Sequence, residues 1–325
     1  MTNLKESPII SYRFYQYIQK QIMENCFNSK KYLEVVVQNI KDKAEKTKGK
    51  LYVEVNWKLL EDDFAQRILP GYDTDNKKKM IIELKRELDI LMCVNASAII
   101  DNLPMTKKAI PCVQHLEHTL KRIETVTWIK PHLVITNINP EEMYDIIYNF
   151  EIKFQKKWYK VWELYLKKGF PYNKGYLLSE NWFWNDDHIP IMKKIALITG
   201  IGNGSGKLST CIGQIYQDHE IGLESSYVMF QTFPIPELPP ENPINQAWAK
   251  RRDCETLSLD DFGETTEEGA QQSFNIIKDL LWDVVEDDNL IKWYEKASDM
   301  IICPTLECIE DIKEVEGLAK KEIEE

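Results

Sequence analysis

The sequence predicts an α/β protein, a three-layer α/β/α domain with a mainly parallel sheet. Short apolar runs rich in β-branched residues alternate with amphipathic helical segments, and this alternation is typical of parallel sheets. One such run, 193–199, leads into a glycine-rich loop and then into a helical segment. The alternation is lost after Pro243, where helical patterns follow a proline-dense stretch.

The first half of the chain contains most of the predicted elements. Helices are expected at 12–23 and 31–46, and the break at Gly49 precedes a strand at 51–55. A helix that opens at Asp75 precedes a strand at 90–94, and a helix at 115–123 precedes a strand at 132–136. Pro140 begins a long helix, because proline and acidic residues favour a first turn. Residues 162–166 form either a strand or the end of that helix, and 176–179 form a short strand.

The second half centres on the glycine loop. The strand 193–199 ends there, a helix covers 209–219, and a strand follows at 226–230. Helices are expected again from Glu267 and after Pro304. We therefore divide the chain into an N-terminal helical segment (1–30), an α/β domain with a P-loop-like motif (31–245) and a helical C-terminal appendage (246–325).

Composition narrows the class of protein. The chain has 325 residues, of which 43% are hydrophobic and 29% charged, as expected for a soluble globular protein. Its net charge of -11 argues against nucleic-acid binding, which requires a basic surface. No apolar run is long enough for a membrane span, and no leader is recognisable. Seven cysteines without a C-x-x-C pair favour reduced thiols in the cytoplasm.

The stretch 200–207 (GIGNGSGK) is the main functional signal. Glycines between a strand and a helix present backbone N–H groups to a phosphate, and a lysine adds charge. The stretch departs from the P-loop signature, because Ile201 stands at the first glycine position and Leu208 follows the lysine. The simpler interpretation is a sharp turn without a ligand, but such a turn does not need a lysine where the helix dipole disfavours a cation. The predicted ligand-binding residues are Gly202, Asn203, Gly204, Ser205, Gly206, Lys207, Ser209 and Thr210.

Other candidates are weaker. Together with Lys207, Asp73 in the turn 70–77 is a candidate catalytic residue. A simpler interpretation explains the same stretch as a turn that leads into a helix, with Asp75 as the helix cap. Asp73, Glu180 and Asp186 are weaker candidates for metal or base roles. Polar residues should meet at the carboxyl ends of parallel strands, where ligands bind, and these are Asn95, Asn137, Glu180 and Gln231. Cys112, His115 and His118 are best explained by an amphipathic helix, and we expect no metal site.

Two blocks resemble a known family. The first comprises 50–59 (KLYVEVNWKL) and 67–77 (RILPGYDTDNK). The second comprises 204–216 (GSGKLSTCIGQIY), 230–239 (FQTFPIPELP) and 242–245 (NPIN). In order and spacing they resemble the uncharacterised bacterial family called domain of unknown function 1846, over about residues 27–248. The resemblance implies an α/β fold with a phosphate-loop-like motif and no particular activity. Members of the family are longer, and we interpret the chain as lacking their C-terminal region.

These observations support two hypotheses from different classes. In the first, the protein binds a nucleotide or phosphorylated metabolite at the glycine loop, as a phosphotransferase or phosphohydrolase, and a nucleotide would bring Mg²⁺. Lys207 would pair with phosphate oxygens, and Ser209 or Thr210 would bind phosphate or a Mg²⁺-bound water. In the alternative, the protein is a decayed, non-enzymatic interaction protein. It would form a homo-oligomer through the apolar face of its C-terminal helices.

Overall fold

The computed structural model is an α/β fold built on seven parallel strands. It describes residues 26–55, 59–60, 62–102, 110–167, 169–172, 186–202, 204–255 and 267–324. The predicted helix at 12–23 and the predicted strand at 176–179 lie outside these residues. The strands are β1 (Leu51–Val55), β2 (Leu88–Asn95), β3 (His132–Ile138), β4 (Val161–Tyr165), β5 (Ile195–Gly200), β6 (Ser226–Phe230) and β7 (Ile301–Ile302).

The order of the strands, β4-β3-β2-β5-β1-β6-β7, shows how the chain winds. The connection from β1 to β2 passes β5, whereas the connection from β5 to β6 passes β1 in the opposite direction. Because crossovers between parallel strands are right-handed, opposite directions place their helices on opposite faces of the sheet. Adjacent strands whose connections leave to opposite faces form the crevice in which α/β proteins bind ligands. Here those strands are β5 and β1.

The described helices are α1 (Ser29–Lys46), α2 (Asp63–Ile68), α3 (Asn76–Leu84), α4 (Ala96–Asp101), α5 (Cys112–Thr127), α6 (Pro140–Gln155), α7 (Lys207–Glu220), α8 (Pro243–Glu255), α9 (Glu267–Leu281) and α10 (Ile312–Glu324). Among them, α2 and α3 lie in the connection from β1 to β2, and α7 lies in the connection from β5 to β6. Helix α1 packs against α3, and α7 packs against β1, β5, β6 and α9. None of the described helices has both the length and the apolar character needed to cross a bilayer.

The α/β class predicted from the sequence is confirmed, and the sheet is parallel throughout. The ambiguous segment 162–166 is a strand, because β4 pairs with β3. The short helices α2 and α4 were not predicted, since each is six residues long. Helix α10 begins at Ile312, so the apolar spacing that starts at Leu306 covers first a 3₁₀ turn, Leu306–Cys308, and only then an α-helix.

The C-terminal part of the chain belongs to the same sheet. We expected a helical appendage over 246–325, and within this segment Ile301 and Ile302 pair with Met229 and Phe230 of β6. The apolar face of α9 is buried within the chain, including Ile277, Leu280 and Leu281. Helix α10 packs on α8 and α2. The apolar face that motivated a homo-oligomer is therefore covered by the protein's own core, and the oligomeric state itself stays a prediction.

Candidate functional site

The glycine loop lies at the carboxyl edge of the sheet, between β5 and α7. Two of its glycines have left-handed backbone conformations, with φ of 65° at Gly204 and 79° at Gly206. At Gly206 the conformation is combined with close packing, since a β-carbon there would lie 2.7 Å from the Thr136 side chain. Glycine is the residue that tolerates both conditions. The loop therefore leans from β5 toward the ends of β2 and β3.

Side chains from those two strands hold the peptide groups of the loop. Asn95, the last residue of β2, donates its amide Nδ2–H to the carbonyl of Gly204 at 3.0 Å. The Thr136 hydroxyl on β3 donates to the carbonyl of Ser205 at 2.9 Å. In a trans peptide the N–H points away from the carbonyl of the same unit. The N–H groups of Ser205 and Gly206 therefore point away from β2 and β3, and no described residue accepts from them.

The Ser205 side chain packs inside the loop, against Gly200. It takes the place that a β-carbon on Gly200 would occupy, with Oγ 1.9 Å from that position. Ser205 is only 2% exposed, and its hydroxyl has no hydrogen-bond partner among the described residues. A buried hydroxyl without a partner is costly, and its presence is a signal of a position for a ligand or an ordered water.

Lys207 is the first residue of α7, and its side chain is buried at 4% exposure. Its Nζ lies 3.9 Å from Oε1 of Glu54, whose side chain is 6% exposed. This carboxylate offsets the unfavourable position of a cation at a helix start. Lys207 was predicted to bind a ligand, because a plain turn does not need a lysine at this position. The structure gives the lysine an internal role as the partner of a buried carboxylate.

Glu54 was missed by the sequence analysis. It lies on β1, two residues after Tyr52, whose hydroxyl donates to Asp218 of α7 at 2.9 Å. Side chains two residues apart share a face, so Glu54 also faces α7. Its Oε2 accepts a 2.8 Å hydrogen bond from the Tyr227 hydroxyl. The signal in the sequence was an acidic residue inside the apolar strand LYVEV, where a buried charge needs a partner.

The thiols around this pair are neutral. Cys93 on β2 and Cys211 on α7 are fully buried, and burial raises the pKa of Cys93 to about 12. Burial likewise raises the pKa of Cys211 well above its ordinary value, and the charge of Glu54 raises it further. Neither thiol is therefore a nucleophile near neutral pH.

The two hydroxyl residues of α7 are already engaged. Ser209 Oγ donates to the carbonyl of Gly206 at 2.9 Å, and Thr210 Oγ1 donates to the same carbonyl at 2.8 Å. Thr210 is fully buried and lies against Cys93, whereas Ser209 is half-buried at the surface of the loop. Of the two, Ser209 is placed to reach a ligand at the loop. Asn203 lies outside the described residues.

The turn at 70–77 does not bring Asp73 to the loop through any described contact. The Asp73 carboxylate accepts from the backbone N–H of Asp75 and pairs with Lys79, and its backbone N–H donates to Ser29. The buried member of this turn is Lys77, whose Nζ lies 2.8 Å from Asp62 Oδ2. Asp73 is thus a turn residue in this arrangement, and Lys77 is the charged side chain directed inward.

Two further features concern β3 and β4. Asn137, next to Thr136, has φ of 56° where the pairing of β3 with β4 shifts register. Left-handed residues and strand irregularities of this kind are frequent near functional sites.

Beyond β4, Lys167 contacts Asp186, and both are buried. Burial lowers the pKa of Lys167 and raises the pKa of Asp186. Glu180 is outside the described residues.

The predicted polar residues at strand ends have different positions. Asn95 and Asn137 lie at the loop, as the parallel arrangement requires, while Gln231 after β6 is buried and donates to the carbonyl of Pro234 at 2.7 Å. Arg67 lies away at α2 and pairs with Glu322 of α10. Within the described residues, no group of three or more His, Cys, Asp or Glu side chains is arranged to hold a metal ion.

Comparison with known proteins extends the resemblance seen in the sequence. A UPF0371 protein of Streptococcus pyogenes (serotype M5, strain Manfredo) is 33% identical over 236 residues, which are 73% of this chain and 46% of the relative. A UPF0371 protein of Corynebacterium glutamicum (strain R) is 33% identical over 238 residues, 72% of this chain and 46% of that protein. A UPF0371 protein of Corynebacterium efficiens is 32% identical over 239 residues, which are 74% of this chain and 47% of that protein. The chain spans about half the length of these curated relatives.

The part of the chain that matches the family is longer than the resemblance over residues 27–248. It covers residues 25–324, and therefore includes β7, α9 and α10 as well as the region up to 248. The C-terminal helices of this chain are therefore part of the matched region. This protein belongs to the family described as "Domain of unknown function DUF1846, N-terminal".

Proposed function

We propose that the protein binds a phosphate-bearing small molecule, a nucleotide or phosphorylated metabolite, at the glycine loop. The observation that carries this proposal is the anchoring of the loop carbonyls by Asn95 and Thr136. It fixes the N–H groups of Ser205 and Gly206 in an orientation away from β2 and β3. The N–H groups of the first turn of α7 add to them, because N–H groups at a helix start bind phosphate oxygens.

The charge balance of the site defines the roles of the two buried residues. Lys207 supplies a positive charge close to the loop, and Glu54 cancels much of it. Coulomb energy between two charges about 4 Å apart is roughly 4 kcal/mol at the effective dielectric constant of protein sites. A bound phosphate therefore competes with Glu54 for Lys207. Ser209, half-buried at the loop, is a further donor in this proposal.

Isothermal titration against inorganic phosphate and a panel of nucleotides and sugar phosphates tests this proposal. Lys207→Met should weaken binding about tenfold, the effect of losing one charge-assisted contact. Glu54→Gln should tighten binding, because it removes the competing carboxylate while keeping the shape of the side chain. Lys48→Met is the matched control for net charge, since Lys48 is exposed and pairs with Asp288. Equal affinities in all four proteins would remove the glycine loop as the site.

The chemistry that fits such a site is phosphoryl transfer or phosphate-ester hydrolysis, which relies on positioning and charge stabilisation. A nucleotide ligand would bring Mg²⁺ with it. Phosphate release from the ligands that bind, measured with and without Mg²⁺, separates an enzyme from a binding protein. Phosphate release that is lost in Lys207→Met supports the hypothesis of an enzyme. Ligand binding without phosphate release supports the hypothesis of a binding protein.

A further inference from the structure

We propose that the amino edge of the sheet docks on an anionic membrane surface, with two tryptophans and a methionine as the side chains that enter the headgroup layer. This edge lies opposite the glycine loop and is separate from the site of the proposed function. The docking surface, which we name the basic edge, consists of the turns 85–87, 128–131, 156–160 and 192–194. These turns lead into β2, β3, β4 and β5.

Contacts between neighbouring turns join the basic edge into one surface. Lys130 Nζ donates to the carbonyl of Lys157 at 3.0 Å. The Lys85 ammonium group lies 4.8 Å from the centre of the Trp128 ring. Lys193 Nζ donates at 2.9 Å to a backbone carbonyl in the same turn as Lys85. Each contact crosses from one turn to the next, in the order β4, β3, β2, β5 that the strands have in the sheet. The four turns are therefore continuous.

The basic edge carries positive charge on an acidic protein. Its turns contain eight lysine or arginine residues and one acidic residue, whereas the whole chain has a net charge of -11. Two of the lysines pair with glutamates of α5, but Arg86, Lys156 and Lys160 form no ion pair with any described residue. Since salt screens charges beyond about 10 Å, a surface that docks here experiences these cations more than the net charge of the chain.

Large apolar side chains project from the same edge. Trp158, Met192 and Trp128 are 85%, 81% and 78% exposed, and they are three of the four most exposed large hydrophobic side chains in the described part of the chain. Helix dipoles favour cations at this edge, where helices end, but they do not explain exposed tryptophans. A partner that covers apolar side chains does explain them.

The backbone holds these side chains in place. Trp128 and Trp158 have left-handed conformations, with φ of 58° and 65°, which are unfavourable for bulky residues. The Asp89 carboxylate accepts from the backbone N–H of Met192 at 2.9 Å and fixes the third turn. Unfavourable conformations of this kind are frequent where a residue has a function. The turns therefore present the three side chains to a partner.

The chemistry of the basic edge favours a lipid surface. Tryptophan is enriched at membrane interfaces, and lysines nearby attract anionic headgroups without any spanning helix. A single-stranded nucleic acid also binds basic and aromatic groups, but its bases stack on rings, and methionine has none. Seven of the eight cations are lysines, whereas arginine is the usual residue for recognition of nucleic acids.

Flotation of the whole chain with vesicles tests this proposal. We expect binding to vesicles of phosphatidylcholine mixed with phosphatidylglycerol, weakening with salt, and much weaker binding to phosphatidylcholine alone. Trp158→Gln should lower the partition coefficient about tenfold, because its ring no longer leaves water. The triple variant Arg86→Gln/Lys156→Gln/Lys160→Gln should lower it about fivefold for each charge removed.

Matched variants elsewhere serve as controls. Trp293→Gln changes another exposed tryptophan, and Lys30→Gln/Lys313→Gln/Lys320→Gln removes three exposed charges outside the basic edge. The tryptophan control should keep wild-type partition, and the charge control should bind at least as well as its own loss of charge allows, far above the basic-edge triple variant. Urea unfolding shows whether each variant is folded, and Trp128→Gln replaces Trp158→Gln if that variant is unstable.

Three results would overturn the proposal. One is no binding to the anionic vesicles at low salt. Another is binding that the basic-edge variants leave unchanged, which would place the contact elsewhere. The third is binding of a single-stranded oligonucleotide, but not of vesicles, that the same variants weaken. Phosphate binding measured by calorimetry should be the same in all these variants, so failure of the membrane proposal leaves the proposed function standing.

Discussion

At the scale of single residues, glycines that share a positive φ are required for different reasons. Gly206 and Gly222 have nearly equal φ values, 79° and 80°. A β-carbon on Gly206 would meet the Thr136 side chain, whereas one on Gly222 would meet nothing within 4 Å. The left-handed conformation is thus a shared cost for any other residue, and close packing is an additional cost at Gly206 alone.

The comparison of these two glycines gives a prediction. Gly222→Ala should lower the free energy of unfolding by roughly 1–2 kcal/mol, the cost of the left-handed conformation. Gly206→Ala should lower it further, because the added methyl group forces Thr136 and the loop apart, and it should abolish phosphate binding. Urea denaturation and calorimetry measure both effects. Gly317→Ala, in a helix with open space around it, is the control and should stabilise the protein by about 0.5–1 kcal/mol. Equal losses at 206 and 222 would contradict the packing argument.

At the scale of elements, the start of β3 is tied to β4 by an aromatic pair. Trp162 Nε1 lies 2.9 Å from His132 Nδ1, and the two rings stack with their planes 15° apart. The indole N–H can only donate, so Nδ1 accepts and the proton of a neutral His132 is on Nε2. Burial, with a contribution from Lys160, lowers the pKa of His132 below its ordinary value of 6.5.

This lowered pKa predicts a loss of stability in acid. The unfolded chain binds the proton more readily than the folded protein, so stability falls as the pH drops through 6.5 toward the folded-state pKa. Protonation also removes the acceptor for Trp162, a hydrogen bond worth about 1 kcal/mol. His132→Asn keeps an acceptor but does not titrate. Urea unfolding at pH 7.5 and 5.5 should show a larger acid loss in wild type than in His132→Asn, and equal losses would refute this assignment.

Another element-scale feature covers the outer edge of β4, which is the last strand on its side of the sheet among the described residues. The carboxylates of Asp187 and Asp186 accept from the backbone N–H groups of Glu163 and Tyr165, both at 2.7 Å. An open edge invites pairing with another chain, and side-chain acceptors of this kind block it. Asp186 therefore has a structural role in addition to its contact with Lys167.

At the scale of the whole molecule, the C-terminal segment completes the fold. Residues 267–324 add β7 to the sheet, cover α7 with α9, and pack α10 on α8 and α2. The Asn289 side chain lies between Ser226, at the start of β6, and Glu224. These contacts join the segment to the central strands, so it does not behave as an independent appendage.

Removal of this segment should therefore destabilise the whole protein. A chain that ends after Arg252 loses α9, β7 and α10, and exposes the apolar surfaces of β6 and α7. We expect it to lose cooperative unfolding in urea and to bind a hydrophobic dye. The full-length chain under the same conditions is the control. A truncated chain with an unchanged unfolding midpoint and an unchanged denaturant dependence would show that the segment is dispensable.

The sequence by itself determined the class of the fold and the place of the loop. Local patterns were sufficient, because apolar runs, the turn at Gly49 and the proline at 140 act over a few residues. The predicted strands at 51–55, 90–94, 132–136 and 226–230 lie within β1, β2, β3 and β6. The glycine loop follows β5, at the carboxyl edge where its residues were expected to lie.

Only the tertiary structure decided how the loop is held and where its lysine points. The order of the strands brings Glu54 beside Lys207, and Asn95 and Thr136 beside the loop, although these residues are far apart in the chain. Such contacts depend on which strands are neighbours, and many strand orders satisfy the same local pattern. An acidic residue such as Glu54 inside an apolar strand is a signal that a partner is needed, although the sequence analysis did not use it. Burial makes an unpaired charge costly, but only the assembled sheet determines which residue supplies the partner.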